Sequence, residues 1–465
     1  MVHQNPNIIL ITPHDLGTYL GCYGWDPQLS TPSLDKLADE GVRFTNNFST
    51  APFCSPSRGS IFTGKYPHTN GLMGLVNLGW HLPSSNRILG QLLQSTGYET
   101  FLFGNQHIAE DSCIAEDPSQ LGFDYISERG KCSCEVVAPI VTDFLKKRAK
   151  EGSKPFYAEV GFSQVHRPYR DIEMLSVQEK NISVLPYLED TPGLRQDMAM
   201  FYAVIQYMDR AVGTILATLD NTRLKENTIV IFTTDHGIAF PRAKATLYDP
   251  GINTTLLMRW PDGFNGGRVI SELISNIDLL PTLLDVVGIP IPEDVQGRSF
   301  LGLLQDEEYT PNSMIFAEKN SHKDDIKRCI RTKRYKYIRN FNGGPLISLP
   351  LDIEVTLARR NMGDRHLAPR PPVELYDLEK DPYEKNNLAS SPDYADIEKE
   401  LSSKLQKVLE DTNDPILSGR IQRPADEEEI MTSCIKEIHQ RLSYEKKIHR
   451  RYEKLKEQIE KGKLK

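Results

Sequence analysis

Short unbroken apolar runs punctuate the first 300 residues. The segment NIILIT (7–12) is apolar and β-branched on both faces, which predicts a strand buried within a parallel sheet. GYETFLFG (97–104), PFYAEVGF (155–162) and NTIVIFTTDHG (227–237) read the same way. Between them lie stretches of helical period. TPSLDKLADEG (31–41) has a threonine cap, an early proline, apolar residues at helical spacing and a closing glycine. Residues 86–95 and 197–219 also read as helices. Strands alternating with helices predict a doubly wound α/β sheet, whose ligands bind beyond the carboxyl ends of the strands.

The texture changes near residue 305. MIFAEKN, CIRTKRYKYIRNF and VELYDLEKDP predict short strands with turns, and a helix follows near 393–411. The expected organisation is an α/β domain over 1–305, a smaller α+β domain over 306–425 and a charged helical tail over 426–465. In the tail, Leu442, Ile448, Tyr452, Leu455 and Ile459 form an apolar stripe. Such a stripe packs on the body or on a second subunit, giving a homo-oligomer, unless the helix stands alone in solvent.

Composition narrows the function. Apolar residues make up 39% and charged residues 25%, as in an ordinary globular protein. A net charge of −8 argues against general nucleic-acid binding, so an anionic ligand needs a local basic site. Seven cysteines are too few and too irregular for a disulfide scaffold. The amino terminus lacks a signal-peptide pattern, and no apolar run approaches a membrane span. The expectation is a cytoplasmic protein with no membrane partner, or a periplasmic or secreted one if a signal peptide has been removed.

Candidate chemistry sits at the predicted strand ends. His14 and Asp15 follow one strand, and Asp235 and His236 follow another. Together they could hold a divalent cation, while either pair alone could merely cap a turn. His107 and His166 follow two further strands and are placed for acid–base work. Lys244 follows Asp235 by nine residues and suits an anion contact or an ordinary surface position. Cys54 stands before a turn-like SPSR and a run that can be helical, as a reactive group or a packed thiol.

The stretch CSPSRGSIFTG matches C-x-P-S-R-x-x-x-x-T-G at Cys54, Pro56, Ser57, Arg58, Thr63 and Gly64, and there it resembles the type I sulfatases. NIILITPHDLGTYLGCYG, VIFTTDHG, DLLPTLLDVVG and ELYDLEKDPYEKNNLA also look like segments of that family, in the family's order. HTNGLMGL, GIAFPRAKATLYDPG and IFAEKNSHKDDIKRCIRTKRYKYIRNF are similar to its heparan N-sulfatase, or sulfamidase, branch. The resemblance implies an alkaline-phosphatase-like mixed sheet flanked by helices. It implies a hydrolase of sulfate esters or sulfamates on a sulfated saccharide such as N-sulfoglucosamine.

It also implies the site. Cys54 would be oxidised to Cα-formylglycine by a sulfatase-maturing enzyme, with Arg58 as its anchor. The hydrated aldehyde carries two hydroxyls on one carbon. One attacks sulfur, and the other drives the collapse that releases sulfate. Asp15, Asp235, His236 and modified Cys54 would hold one divalent cation, calcium foremost, magnesium or manganese otherwise. His107 fits the base for the collapse, and His166 and Lys244 fit sulfate contact and leaving-group protonation. Glu318 and His322 fall in the sulfamidase-like segment and are candidates for sugar recognition.

Two departures stand out. The family has two aspartates after the first strand, and here His14 replaces one, as a possible further ligand that carries less charge. The family has lysine where Asn105 stands in GNQH, so sulfate contact there falls to an uncharged amide. Residues 327–339 hold seven cationic side chains in thirteen, either a rim for a polyanionic glycan or a strand with solvated charges. Competing readings are an arylsulfatase, a phosphonate or phosphodiester hydrolase of the same superfamily, and a non-catalytic sulfoglycan-binding protein.

Overall fold

The computed structural model describes residues 5–461 apart from 110–120, 128–129, 131, 153, 171, 173–178, 321–324, 361, 420 and 437. Fourteen strands are defined among the described residues. They are β1 (Asn7–Thr12), β2 (Val42–Phe44), β3 (Asn47–Phe48), β4 (Glu99–Gly104), β5 (Tyr125–Ile126), β6 (Phe156–Gly161) and β7 (Thr228–Thr233). There follow β8 (Leu256–Arg259), β9 (Arg268–Ile270), β10 (Ile274–Ser275), β11 (Ile315–Lys319), β12 (Lys327–Arg331), β13 (Tyr335–Asn340) and β14 (Val373–Asp377).

The main sheet has eight strands in the order β5-β4-β6-β1-β7-β8-β2-β9. Strands β4, β6, β1 and β7 are mutually parallel, and β8 runs antiparallel to β7 and β2. The unbroken apolar strands follow from burial on both faces. Ile9, Ile11, Val230 and Phe232 pack in one core with the helices Cys134–Glu151 and Pro192–Asp220. Their neighbours Ile8, Leu10, Ile229 and Ile231 point into a second core with the helices Cys54–Thr63 and Leu279–Val286.

Strands β11-β12-β13-β14 form an antiparallel sheet, as the change of texture predicted. The second core runs into it without a break. Phe316, Ile330, Tyr337 and Leu375 belong to that core, with Leu401, Leu405 and Leu409 of the helix Ala395–Asp411.

The basic run is neither an anionic-ligand rim nor a solvated strand throughout. Lys327, Arg328, Arg331 and Lys336 are buried. Lys336 pairs with Asp249 and Glu384, Arg328 with Asp414, Arg331 with Asp249, and Lys327 with Asp325. Each buried cation is thereby neutralised, which burial requires. Lys333 stays exposed.

The tail packs on the body. Ile448 and Tyr452 of the helix Ile438–Glu460 enter the first core, Leu455 packs against it, and Lys456 pairs with Glu179. Leu442 is half-buried, and the side chain of Ile459 lies outside those described. No described helix is long and apolar enough to cross a membrane.

Candidate active site

Four adjacent parallel strands end on one edge of the sheet, and each delivers a predicted residue there. Strand β1 leads to His14 and Asp15, β4 to Asn105 and His107, β6 to His166, and β7 to Asp235 and His236. Asp15, His107, Arg242 and Ala245 have φ between +54° and +69°, a region costly for residues with a Cβ. These four, of the eight described non-glycine residues with positive φ, lie at or beside this edge. Gly161 has a structural reason: a Cβ there would stand 1.8 Å from the Asn105 carbonyl.

Facing the strand ends is the amino terminus of the helix Cys54–Thr63, buried along its whole length. Its sequence fits the position. Pro56 lies in the first turn, where a missing N–H costs nothing. Gly64 ends the helix at φ +66°, the left-handed cap that suits glycine. Ser57 donates to the Asp235 carbonyl. The fully buried Arg58 reaches Asp235 Oδ2 at 3.2 Å and the Thr12 and Pro13 carbonyls at 3.3 and 3.1 Å. Arg58 therefore locks the helix to the ends of β1 and β7.

Cys54 Sγ lies 3.3 Å from His236 Nε2 and 3.9 Å from Asp15 Oδ1. His236 Nε2 is 3.0 Å from Asp15 Oδ1, and its Nδ1 is 2.9 Å from the Gly237 carbonyl. A carbonyl only accepts, so Nδ1 carries a proton and Nε2 faces the centre. Asp235 Oδ1 accepts from the backbone N–H groups of Asp15 and His236. Lys244 Nζ bridges Asp15 Oδ2 at 2.8 Å and Asp352 Oδ2 at 2.9 Å, with His166 Nε2 at 3.3 Å.

Ligand atoms of His14, Asp15, Cys54 and Asp235 all lie within 4.8 Å of one another. That span matches donors ~2.4 Å from one shared hard cation. His236 turns Nε2 to the same centre, with its other nitrogen fixed by a carbonyl as metal-bound imidazoles usually are. The donor set fits one divalent cation. His14 sits between partners: Nδ1 is 2.9 Å from Asp235 Oδ2, and Nε2 is 2.8 Å from the Asn105 amide nitrogen.

The local field sorts the protonation states. Burial opposes charge on Asp15, but Lys244, His166 and His236 hold its carboxyl well below the usual range. Burial, with His14 and Arg58, drives His107 well below the ordinary imidazole value, which favours its neutral form. Burial, with Arg58, lowers His14 to about 4. Burial also raises the Cys54 thiol, with Lys244 opposing.

The structure brings Cys54, Arg58, Asn105, His107, His166, Lys244 and the proposed metal ligands into one cluster. It does not bring Glu318 there as a free carboxylate. Glu318 is fully buried, with Oε1 on the His68 backbone N–H and ring Nδ1 and Oε2 on Asn320 Nδ2. Arg328 stands 3.5 Å from it. A carboxylate closed to solvent and committed on both oxygens is placed as a buried structural acid, not as the free sugar contact expected from the sequence. His322 lies outside the described residues. Asp352 was missed, because an acid in LPLDIEVT carries no pattern that points to the site.

A family model described as sulfatase matches residues 6–289, and one described as N-sulphoglucosamine sulphohydrolase, C-terminal, matches residues 237–349. An ulvan-active sulfatase of Formosa agariphila is 31% identical over 413 residues, 86% of this chain and 79% of that protein. Human N-sulphoglucosamine sulphohydrolase is 28% identical over 466 residues, 88% and 91% of the two chains. A structure solved with its substrate D-glucosamine-2-N,6-O-disulfate superimposes with a TM-score of 0.70 at 19% identity, covering 88% of this chain and 99% of that one. At that identity the likeness carries the fold, an alkaline-phosphatase-like mixed sheet.

Proposed function

The chain belongs to the sulfatase family, as a sulfuric ester hydrolase, and on that premise we propose that it desulfates a sulfated sugar, with glucosamine N-sulfate the favoured group. The observation that carries the reading is Cys54 at a buried helix terminus, facing two carboxylates with Lys244 and His166 across from it. The choice of sugar rests on the C-terminal match over residues 237–349 and on the human relative.

Residue 54 supplies the nucleophilic oxygen after conversion to formylglycine by a maturing enzyme. Cys54 is 2% exposed, so that enzyme must reach it before folding closes the site. Asp15, Asp235, His236 and residue 54 hold the cation, with His14 beside them, and the cation supplies Lewis-acid stabilisation of sulfuryl charge. Arg58 fixes the helix. Lys244 and His166 bind the sulfuryl oxygens and hand a proton to the leaving atom. His107 is the neutral base that removes the proton from the second hydroxyl of residue 54.

The test is a parallel assay of matured protein on N-sulfoglucosamine, an aryl sulfate and an aryl phosphodiester. The sugar is expected to give the highest kcat/KM. Preference for the phosphodiester would discard the reading.

A further inference from the structure

One carboxylate reaches this site from the second sheet's side of the molecule. Asp352 lies in the short helix Leu351–Glu354, beyond residue 349, where the C-terminal family match ends. Its Oδ2 is 2.9 Å from Lys244 Nζ and 3.9 Å from His166 Nε2. Its Oδ1 enters no hydrogen bond or ion pair among the described residues.

Depth orders the cluster. Cys54 is 2% exposed, whereas the side chains of Asp352 and His166 are 14% and 36% exposed. The nucleophilic position is the floor, and Asp352 and His166 are the mouth. In an in-line displacement the leaving group departs opposite the nucleophile. It therefore emerges beside His166, Lys244 and Asp352.

The charge that emerges depends on the bond broken. For an N-sulfate, R–NH–SO3⁻ + H2O gives R–NH3⁺ + SO4²⁻. The S–N bond breaks, its electron pair stays on nitrogen, sulfur gains oxygen, and nitrogen takes both protons of the water. For an O-sulfate, R–O–SO3⁻ + H2O gives R–OH + SO4²⁻ + H⁺, and the leaving group is neutral.

We infer that Asp352 selects an amine leaving group, its carboxylate receiving the cationic amine as it forms. A neutral hydroxyl cannot match that charge-assisted hydrogen bond. Although burial opposes its charge, the Lys244 ammonium more than offsets this and keeps Asp352 ionised. The inference rests on the sulfated-sugar reading and adds the bond type to it.

The experiment uses full-length protein matured at Cys54 and the variants D352N and D352E. D352N is expected to lower kcat/KM for glucosamine N-sulfate roughly 10- to 100-fold more than for 4-nitrophenyl sulfate, the worth of one hydrogen bond to a charged group. D352E restores part of the difference. Glucosamine, assayed as a product inhibitor of aryl sulfate turnover, should bind more weakly to D352N, with inhibition by inorganic sulfate changing less. Thermal unfolding of each variant checks the fold. Equal losses on both substrates, or undiminished glucosamine inhibition, would overturn the inference and leave the sulfated-sugar reading standing. A wild-type enzyme that cleaves 4-nitrophenyl sulfate and no sulfated sugar sinks that reading instead, and its wild-type rates tell the two failures apart.

Discussion

A thiol pushed up by burial is a poor nucleophile, because the thiolate is the reactive form. Cys54 is such a thiol, yet His236 Nε2 and Asp15 Oδ1 converge on it. Cys54→Ala is expected to abolish turnover, by roughly 10³-fold or more, with an unchanged melting temperature. Retained activity would remove residue 54 from the chemistry. His14 poses the complementary question. It stands where the family has aspartate, next to Asp235 and Asn105, and burial keeps it neutral near pH 7. His14→Asp adds a carboxylate and should tighten calcium about tenfold, since ligand charge sets calcium affinity. Calorimetric titration of the two proteins with calcium would show it, and unchanged affinity would exclude position 14 from the metal site. At this scale the sequence was most legible where a motif fixed the residue. The signature and the strand-end acids came together as expected. Asp352 and Thr12 did not announce themselves, because they act through position alone.

The strands with two apolar faces were readable because both faces meet a core, so no polar position interrupts them. The charged strand was misread for the converse reason. Alternating cations look solvated in sequence, and only the fold brings Asp249, Asp414 and Glu384 to neutralise them. Glu318 on β11 belongs to the same network. Its removal leaves His68 and Arg328 short of a counter-charge in a dry interior. Glu318→Ala should therefore cost about 3–5 kcal/mol of stability, the usual scale for breaking a buried pair. It should lower activity on sugar and aryl sulfates alike. Denaturant unfolding together with both assays is the check, and a selective loss on the sugar would restore Glu318 to substrate recognition. The pH dependence has a definite sign. Burial opposes the Glu318 charge, but His68 and Arg328 bring the carboxyl down to about 2. A depressed acid stabilises the fold fully above its unfolded value, ~4.3, and that share is lost as pH falls toward 2. In Glu318→Gln this acid-range share should vanish, measured as a flatter stability profile between about pH 4.5 and pH 2.

The whole molecule is less divisible than its change of texture suggests. Near residue 305 strand-and-turn patterns replace βα alternation in the sequence. Periodicity gives no hint that the two parts share one core. Phe316, Ile330, Tyr337, Leu375, Leu401, Leu405 and Leu409 all pack in the cluster that also holds Ile8 and Leu10 of β1. Burial of an apolar side chain of this size is worth about 1.5–3 kcal/mol. Burying seven such side chains is worth on the order of 10–20 kcal/mol, comparable with the ~5–15 kcal/mol net stability of a typical domain. The active centre spans the same seam, since Lys244 is held between Asp15 and Asp352. Residues 1–305 expressed alone should then fail to fold, and the full chain should unfold in one cooperative transition. Differential scanning calorimetry and far-UV circular dichroism of both proteins test this. Two resolved transitions in the full chain, or a soluble 1–305 fragment with native-like dichroism, would mean that the shared core is dispensable and that Asp352 is carried by a unit which folds by itself.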